Sequence, residues 1–422
     1  MLTAAKPRRP ARTRSRVQRG AARPDETRPA SPTPVAPLPE PEPIVRSLPD
    51  ADTPPLLPMP KRIVIGVEIE AYSIQAPEFS IGRRHSRPRP GVSEAGERYT
   101  RDTSIGSEYN SRPFGTIREA VFLLKSGLRK YLRRIYRGHE EGDEWLAPLL
   151  VGGWTNRFAG THLHLSLADE ELTLETARSL AGHLHAHVPL MIAACANSPI
   201  WGSRITATVS NRLERGSEAY FKAISPRTVS ARDLQEMRYA PARKRKPATL
   251  ELRMLDSNIP EFVVATLTLA KAVTLRWRRG RRAVNRLKQT DYLGARHHAG
   301  RHGMRGQLCW RGEWIPARKY LDRFLWEHRA ELEEIDIPDD VYDVLRLLKR
   351  GYNGARLIHD AARIAYREHP QTWQRRFARR YAAGIELLLS GNSLRDFAAA
   401  LNVALPDTDQ TWLGRRTASI DE

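Results

Sequence analysis

An α+β fold, built on one sheet with an apolar face and a chemically loaded face, is predicted by three short segments and by the helices that follow them. The segments are residues 66–70 (GVEIE), 160–166 (GTHLHLS) and 249–255 (TLELRML). Side chains on a strand alternate between the two faces of its sheet. Glu68 and Glu70 therefore share a face, with Val67 and Ile69 opposite. His162, His164 and Ser166 share a face, with Leu163, Leu165 and Leu167 opposite; Glu251 and Arg253 likewise oppose Leu250, Leu252 and Met254. Each strand is followed by a helical pattern, and that order around one sheet gives the α+β class.

The elements follow in chain order. Residues 1–58 are rich in Pro, Arg, Ala and Thr and predict a disordered tail, because they hold too little apolar surface to fold alone. Residues 61–65 (KRIVI) open the folded part as a strand running into Glu68. Residues 76–99 form a loop long enough to suggest a function. An extended stretch ending at Pro113 places Glu108, Asn110 and Arg112 on one face. A helix is expected from Ile117 to about Tyr136, with Ala120, Val121, Leu124, Leu128 and Leu132 at helical spacing. A long helix is expected over 173–196, broken by Pro199 and Gly202. Pro260 suits the first turn of a further helix reaching about Trp277. From Tyr320 to Leu401 the pattern is helical, with candidate helices over 323–333, 341–350, 355–367 and 373–389. The expected division is a tail (1–58), a catalytic domain (59–283) and a mainly helical C-terminal region (284–422).

Composition narrows the function classes. The 422 residues are 41% hydrophobic with a mean hydropathy of −0.53, enough for a large core beside a solvated surface. No apolar run reaches the ~18 residues of a membrane span. Two cysteines, Cys195 and Cys309, exclude a disulfide framework and a cysteine zinc motif. With no signal-like start, a reducing cytoplasm is expected. The net charge of +21 comes in arginine blocks and favours an anionic partner. No helix-turn-helix, zinc finger or aromatic RNA-binding signature is present, so no nucleic-acid module is expected. Carboxylates and imidazoles on one rigid face suit a hard divalent cation such as magnesium or manganese.

Taken in order, the Glu68–Glu70 strand, the His162–His164 strand and the Glu251–Arg253 strand resemble the glutamine synthetase superfamily. Within it they are most similar to the carboxylate–amine ligase branch, the glutamate–cysteine ligase-like proteins. The segment Ala196-Asn197-Ser198-Pro199-Ile200-Trp201 resembles an Ala-Asn-Ser-Pro stretch of those ligases, and residues 102–113 resemble their middle segment. The match covers roughly residues 61–280. It implies a catalytic antiparallel sheet with helices on one face. It implies that Glu68, Glu70, Glu108, His162 and Glu251 hold Mg2+ (or Mn2+) that binds the ATP phosphates. Arg253 would contact phosphate, Arg212 would fill a phosphate-binding arginine position, and Asn197 and Trp201 would shape the nucleotide or substrate side. The implied reaction is ATP-dependent activation of a carboxylate to an acyl phosphate, then attack by an amine. Glu108 joins the two arginines in the expected catalytic set.

Such chemistry brings anions together and needs metals and arginines to neutralise them. The substrates would be a small-molecule or peptide carboxylate and an amine; a homo-oligomer is left open. An amidase on the same fold and a non-catalytic anion-binding protein are the competing readings. The remaining polar motifs are expected to be structural. His164 is a supporting residue, His183, His185 and His187 lie on an ordinary helix surface, Cys195 is core, and residues 276–286 form a solvated helix end.

Overall fold

The pattern that opens the sheet is the alternation Ile63, Ile65, Val67, Ile69: every one of these is buried while the intervening residues are half-buried. In the computed structural model the described residues are 63–83, 93–102, 105–135, 144–216, 222–232, 235–244 and 246–408. Residues from 58 on group as one compact unit; the expected tail over 1–58 lies outside the described residues.

The sheet strands are β1 (Ile63–Ala76), β2 (Ser80–Gly82), β3 (Arg98–Asp102), β4 (Gly106–Asn110), β5 (Arg133–Ile135), β6 (Glu144–Leu149) and β7 (Gly160–Leu167). After a short hairpin of β8 (Ile200–Trp201) and β9 (Arg204–Ile205) come β10 (Met237–Ala240) and β11 (Thr249–Asp256). The path runs β10-β11-β7-β1-β4-β3, and every pairing in it is antiparallel. The C-terminal half of β1 leaves this path to pair with β2 and β6. β1 is thus far longer than its motif and anchors both parts of the sheet.

Helices α1 (Ile117–Arg129), α2 (Leu174–Leu184), α3 (Val188–Cys195), α4 (Asn211–Arg215) and α5 (Pro260–Arg278) alternate with the sheet strands or directly follow the last of them in the chain. α5 is buried all round from Pro260 to Leu275. It has little amphipathic character because neighbours surround it. It packs on α1, α2 and α3, and its apolar side chains share one core with Ile65, Val67, Ile69, Leu163, Leu165, Leu250 and Leu252. The helices therefore cover the apolar face of the sheet, which leaves the other face for chemistry.

The C-terminal helices join that same core. They are α6 (Gln289–His302), α7 (Ala317–Glu327), α8 (Arg329–Ile335), α9 (Asp339–Lys349), α10 (Gly354–Glu368), α11 (Trp373–Leu389) and α12 (Leu394–Ala400). A hairpin of β12 (Gln307–Trp310) and β13 (Glu313–Pro316) precedes α7. Among the described residues no helix is long and apolar enough to cross a membrane.

Several expectations need correction. The helix starting at Ile117 stops at Arg129, and 133–135 form a strand. The long helix over 173–196 is broken by a 3-10 turn at His185–His187. Pro189 lies in the first turn of α3 and cannot donate back to His185, so one continuous helix would lose a hydrogen bond there. His185 and His187 are buried, not on a helix surface. The arginines over 276–286 are partly committed: Arg278 grips Asp169 and Glu170, while Arg276, Arg279 and Arg281 face the buried Glu331. Cys195 is core as expected, and burial pushes its thiol up to about 12.

Candidate metal and nucleotide site

Strand register sets the site before any side chain is considered. Glu70 stands opposite Glu108 across β1–β4, Glu68 opposite His162 across β1–β7, and His164 opposite Glu251 across β7–β11. The result is a diagonal track of acids and imidazoles over four strands. Two carboxylates directly opposite each other repel, and sheets avoid that pairing unless a cation offsets it.

The side chains converge as the register requires. Glu68 reaches both imidazoles, with Oε2 3.3 Å from His162 Nδ1 and Oε1 3.1 Å from His164 Nε2. Glu251 Oε1 lies 3.6 Å from His162 Nδ1, and Glu70 Oε1 lies 4.0 Å from His162 Nε2. Glu70 Oε2 also accepts from the Gly160 amide at 2.6 Å. One ligand atom each from Glu68, His164 and Glu251 falls within 4.8 Å of the others, a grouping that could hold a metal ion. The donors are carboxylate oxygens and imidazole nitrogens, with no sulfur, so the set fits a hard or borderline divalent cation.

Cations of the chain offset only part of this charge. Arg253 pairs closely with Glu251, and Lys246 Nζ stands 3.5 Å from Glu68 Oε1. Among the described residues no Lys or Arg comes within ion-pairing distance of Glu70 or Glu108. Burial opposes ionisation of Glu68, but the hydrogen bonds to His162 and His164 win and hold its carboxyl well below the usual range. Burial likewise opposes ionisation of Glu251, and His162, His164 and Arg253 outweigh it. Burial raises Glu70 despite His162 and Arg212. Burial raises Glu108 too, with Glu68 and Glu70 adding to the effect. Two of the four acids are thus stabilised as anions and two disfavoured as anions, chiefly by burial, the pattern a bound cation would relieve.

The predicted residues divide by place. Glu68, Glu70, Glu108, His162, Glu251 and Arg253 come together on the polar face. Arg212 does not reach that face openly: it is buried, lies against the Cα of Gly160, and donates to the Arg253 carbonyl at 2.9 Å. A Cβ at position 160 would fall 2.4 Å from Arg212 Nη2, so β7 begins with glycine where the guanidinium passes. Asn197 is buried, and its amide donates to the carbonyls of Leu150 (2.8 Å) and Ser257 (3.0 Å). Trp201 lies on the β8–β9 hairpin under the Arg215 guanidinium, 4.6 Å from ring centroid to Cζ. Neither is in hydrogen-bonding or ion-pair contact with Glu68, Glu70, Glu108 or Glu251.

Three further features were not anticipated. His164 belongs to the cluster rather than behind it: Nε2 faces Glu68 while Nδ1 lies 3.2 Å from Thr249 Oγ1. β11 carries a bulge, since Leu252 pairs with Leu163 but Leu255 pairs with Thr161, which leaves one extra residue at Arg253–Met254. The Arg253 amide turns to the Glu236 carbonyl at 2.7 Å instead. Bulges redirect side chains in this way. Asp256 ends the same strand as a buried hub. It accepts from the Asn197 amide (2.8 Å), Ser198 Oγ (2.9 Å) and Ser210 Oγ (3.0 Å).

A cleft of about 180 Å³ adjoins Glu68 and His164 and is lined also by Arg98, Asn110, Ser111 and Lys246. It gives the polar face room for a ligand beside the carboxylates.

Comparison with known proteins follows from this geometry. No family model matches the chain. A curated relative from Bradyrhizobium diazoefficiens, with the provisional name glutamate–cysteine ligase 2, is 36% identical over 76 residues. That match spans 18% of this chain and only 17% of the relative. Among solved structures, a bifunctional glutathione synthetase from Pasteurella multocida aligns with a TM-score of 0.50 at 12% identity, over 81% of this chain and 55% of that one. The ligase PafA in complex with the prokaryotic ubiquitin-like protein Pup aligns at 0.49 and 12% identity, over 82% and 81%. Glutamate–cysteine ligase from Francisella tularensis in complex with AMP aligns at 0.47 and 14% identity, over 81% and 92%. At these identities the likeness is one of fold, and the Pasteurella multocida protein carries it: the chain has the α+β ligase fold that its ordered strand motifs implied.

Proposed function

We propose that the chain is an ATP- and divalent-metal-dependent carboxylate–amine ligase that forms an amide bond through an acyl phosphate. The observation that carries the reading is the track of four carboxylates and two imidazoles across β4, β1, β7 and β11, with Arg253 beside Glu251. The ligase fold and the short match to a glutamate–cysteine ligase support it.

Glu68, His164 and Glu251 would hold one Mg2+ or Mn2+, and Glu70, Glu108 and His162 would complete the metal-binding face. When bound, the metal supplies charge neutralisation for the phosphates and for the phosphoryl group in flight. Arg253, fixed by Glu251 and aimed by the bulge, neutralises charge on the transferring phosphoryl oxygens. Arg212 acts from behind. Its guanidinium props the Arg253 carbonyl and lends positive charge to Glu70 and Asp256. Asn197 holds the Leu150 and Ser257 carbonyls and, through its amide, Asp256, so it keeps the end of β11 in place. Trp201 and Arg215 offer a flat surface for a planar group.

Two measurements test this. Calorimetric titration with magnesium–ATP should show binding that weakens by roughly tenfold or more in Glu68→Gln, with the circular dichroism spectrum unchanged. With ATP, magnesium, hydroxylamine and a panel of amino-acid and peptide carboxylates, a hydroxamate should form in step with ADP. Unchanged nucleotide binding in the variant sinks the metal assignment. Cleavage of an amide without net ATP use, and no hydroxamate from any carboxylate, gives the site to an amidase.

A further inference from the structure

We propose that a cavity among the helices, away from the polar face of the sheet, binds a phosphate-type dianion. The cavity holds about 220 Å³ and lies between the end of α6, the 206–209 loop and the start of α10. It shares no lining residue with the carboxylate track. Five basic side chains line it: Arg301, His302, Arg305, Arg356 and His359. No acid lines it.

Charge bookkeeping selects the ligand. Asp360 sits behind the cavity, 2.8 Å from Arg356 Nε and 3.5 Å from His359 Nδ1, and its single charge offsets that of Arg356. Among the described residues Arg301 and Arg305 have no carboxylate within ion-pairing distance. His302 is held below its ordinary value by partial burial, then by the nearby His298 and Arg301, so it is neutral at pH 7 and free to donate or accept a proton in a hydrogen bond. Two positive charges thus remain uncompensated around one concavity. A single dianionic phosphoryl group matches that count, and arginine forks suit its oxygens. The dipole of the fifteen-residue α10 adds to the same field, although the amides of Ala355 and Arg356 are already used by Ala196 O and Asn353 Oδ1. The volume exceeds that of bare phosphate and is below the ~300–1,000 Å³ of common ligand pockets. Pro199, Ala207 and Ala355 give it an apolar wall. Free phosphate and a small phosphomonoester are the two sources of such a group.

The test uses the full chain and calorimetry with two probes, inorganic phosphate and ribose 5-phosphate, at low salt. Binding of either at one equivalent is expected, and tighter binding of ribose 5-phosphate identifies a phosphomonoester as the ligand. The double variant Arg301→Ala/Arg305→Ala should weaken it by roughly tenfold or more, since charge-assisted contacts are lost. Both arginines are exposed, so the variant should keep its melting temperature. Arg305→Glu should abolish binding outright. Arg253→Ala should leave it unchanged, which separates this cavity from the proposed ATP site. The inference is overturned by three results: no binding of either probe, unchanged affinity in the double variant, or loss in Arg253→Ala equal to that in the double variant.

Discussion

Buried histidines and glutamates occur in two regions of this protein, and their surroundings are opposite. On the sheet, His162 and His164 face carboxylates, and the hydrogen bond to Glu68 raises His162 although burial works against it. Between the helices, His185 stacks on Tyr292 at 4.1 Å, and His328 stacks on Phe324 at 4.2 Å. Burial pushes both of these down to about 4, so they sit neutral in the core. The acids divide the same way. Glu236, just before β10 with its side chain against α6, is saturated by Arg296, Tyr292 and the Ile224 amide. Glu70 and Glu108 face each other, and among the described residues no Lys or Arg lies in ion-pair range of either. A polar group built for stability is matched by its own chain; a group built for a ligand is left short.

The sharpest way to break this contrast is to remove one acid from each region. Glu236→Ala strips Arg296, Tyr292 and the Ile224 amide of a shared buried acceptor and should cost about 3 kcal/mol of stability. Glu108→Gln removes one charge from an acid that burial, Glu68 and Glu70 already oppose, and should change stability by under ~1 kcal/mol without metal, while magnesium binding falls. Denaturant midpoints of both variants check this. Equal losses would mean that the sheet acids are structural.

The next test concerns rate. Arg253→Ala should lower hydroxamate formation by about 10²–10³, because phosphoryl charge loses its preorganised partner. Arg278→Ala removes a comparable arginine whose partners, Asp169 and Glu170, lie outside the polar face; it should leave turnover within about twofold. A similar drop in both would reduce the Arg253 effect to general loosening of the fold.

The sequence carried the sheet's chemistry well because alternation in β1 and β7 is a local property. Glu68, Glu70, His162 and His164 needed only their spacing. Glu251 and Arg253 were also legible, but the bulge between Leu252 and Leu255 was not, since it lies in the register of β11 against the distant β7. His164 was underweighted because alternation gives a face and not a neighbour across the ladder. Asp256 gave no signal, as its partners come from two distant segments, 197–198 and 210. The misplacement of His185 and His187 has a simpler origin: a helical stripe assumes one straight helix, and Pro189 breaks it. α6 and the β12–β13 hairpin lay hidden under an arginine-rich composition.

The helical histidines give the pH test. His185 and His328 keep folded values near 4 against an ordinary 6.5. Between those values the unfolded chain takes up protons that the folded chain refuses. Stability is therefore full above about pH 6.5 and falls as pH drops toward 4, by about 2 kcal/mol per histidine at pH 4.5. His185→Phe keeps the stack on Tyr292 and loses the hydrogen bond from Nε2 to the Ile224 carbonyl. Its melting temperature should start slightly lower at neutral pH but fall less on acidification. Parallel pH curves for wild type and variant would show that His185 does not titrate in this window.

The smallest expected effect is the most specific, and it concerns Thr249. Its hydroxyl lies 3.2 Å from His164 Nδ1, on the side of the ring away from Glu68. A cation in the site would displace the proton that Nε2 shares with Glu68; with Nδ1 donating to Thr249, Nε2 would then turn its lone pair to the cation. That tautomer is the one able to ligate a cation. Thr249→Val preserves shape and removes the acceptor, so the imidazole loses its preferred tautomer and orientation. Manganese affinity should fall by about 10–100-fold, with the melting temperature nearly unchanged. Thr249→Ser should restore it, because the hydroxyl returns. Calorimetric titration with Mn2+ reads all three chains. Equal affinity in the valine variant would return His164 to a supporting role and leave the cation to His162 and the four carboxylates.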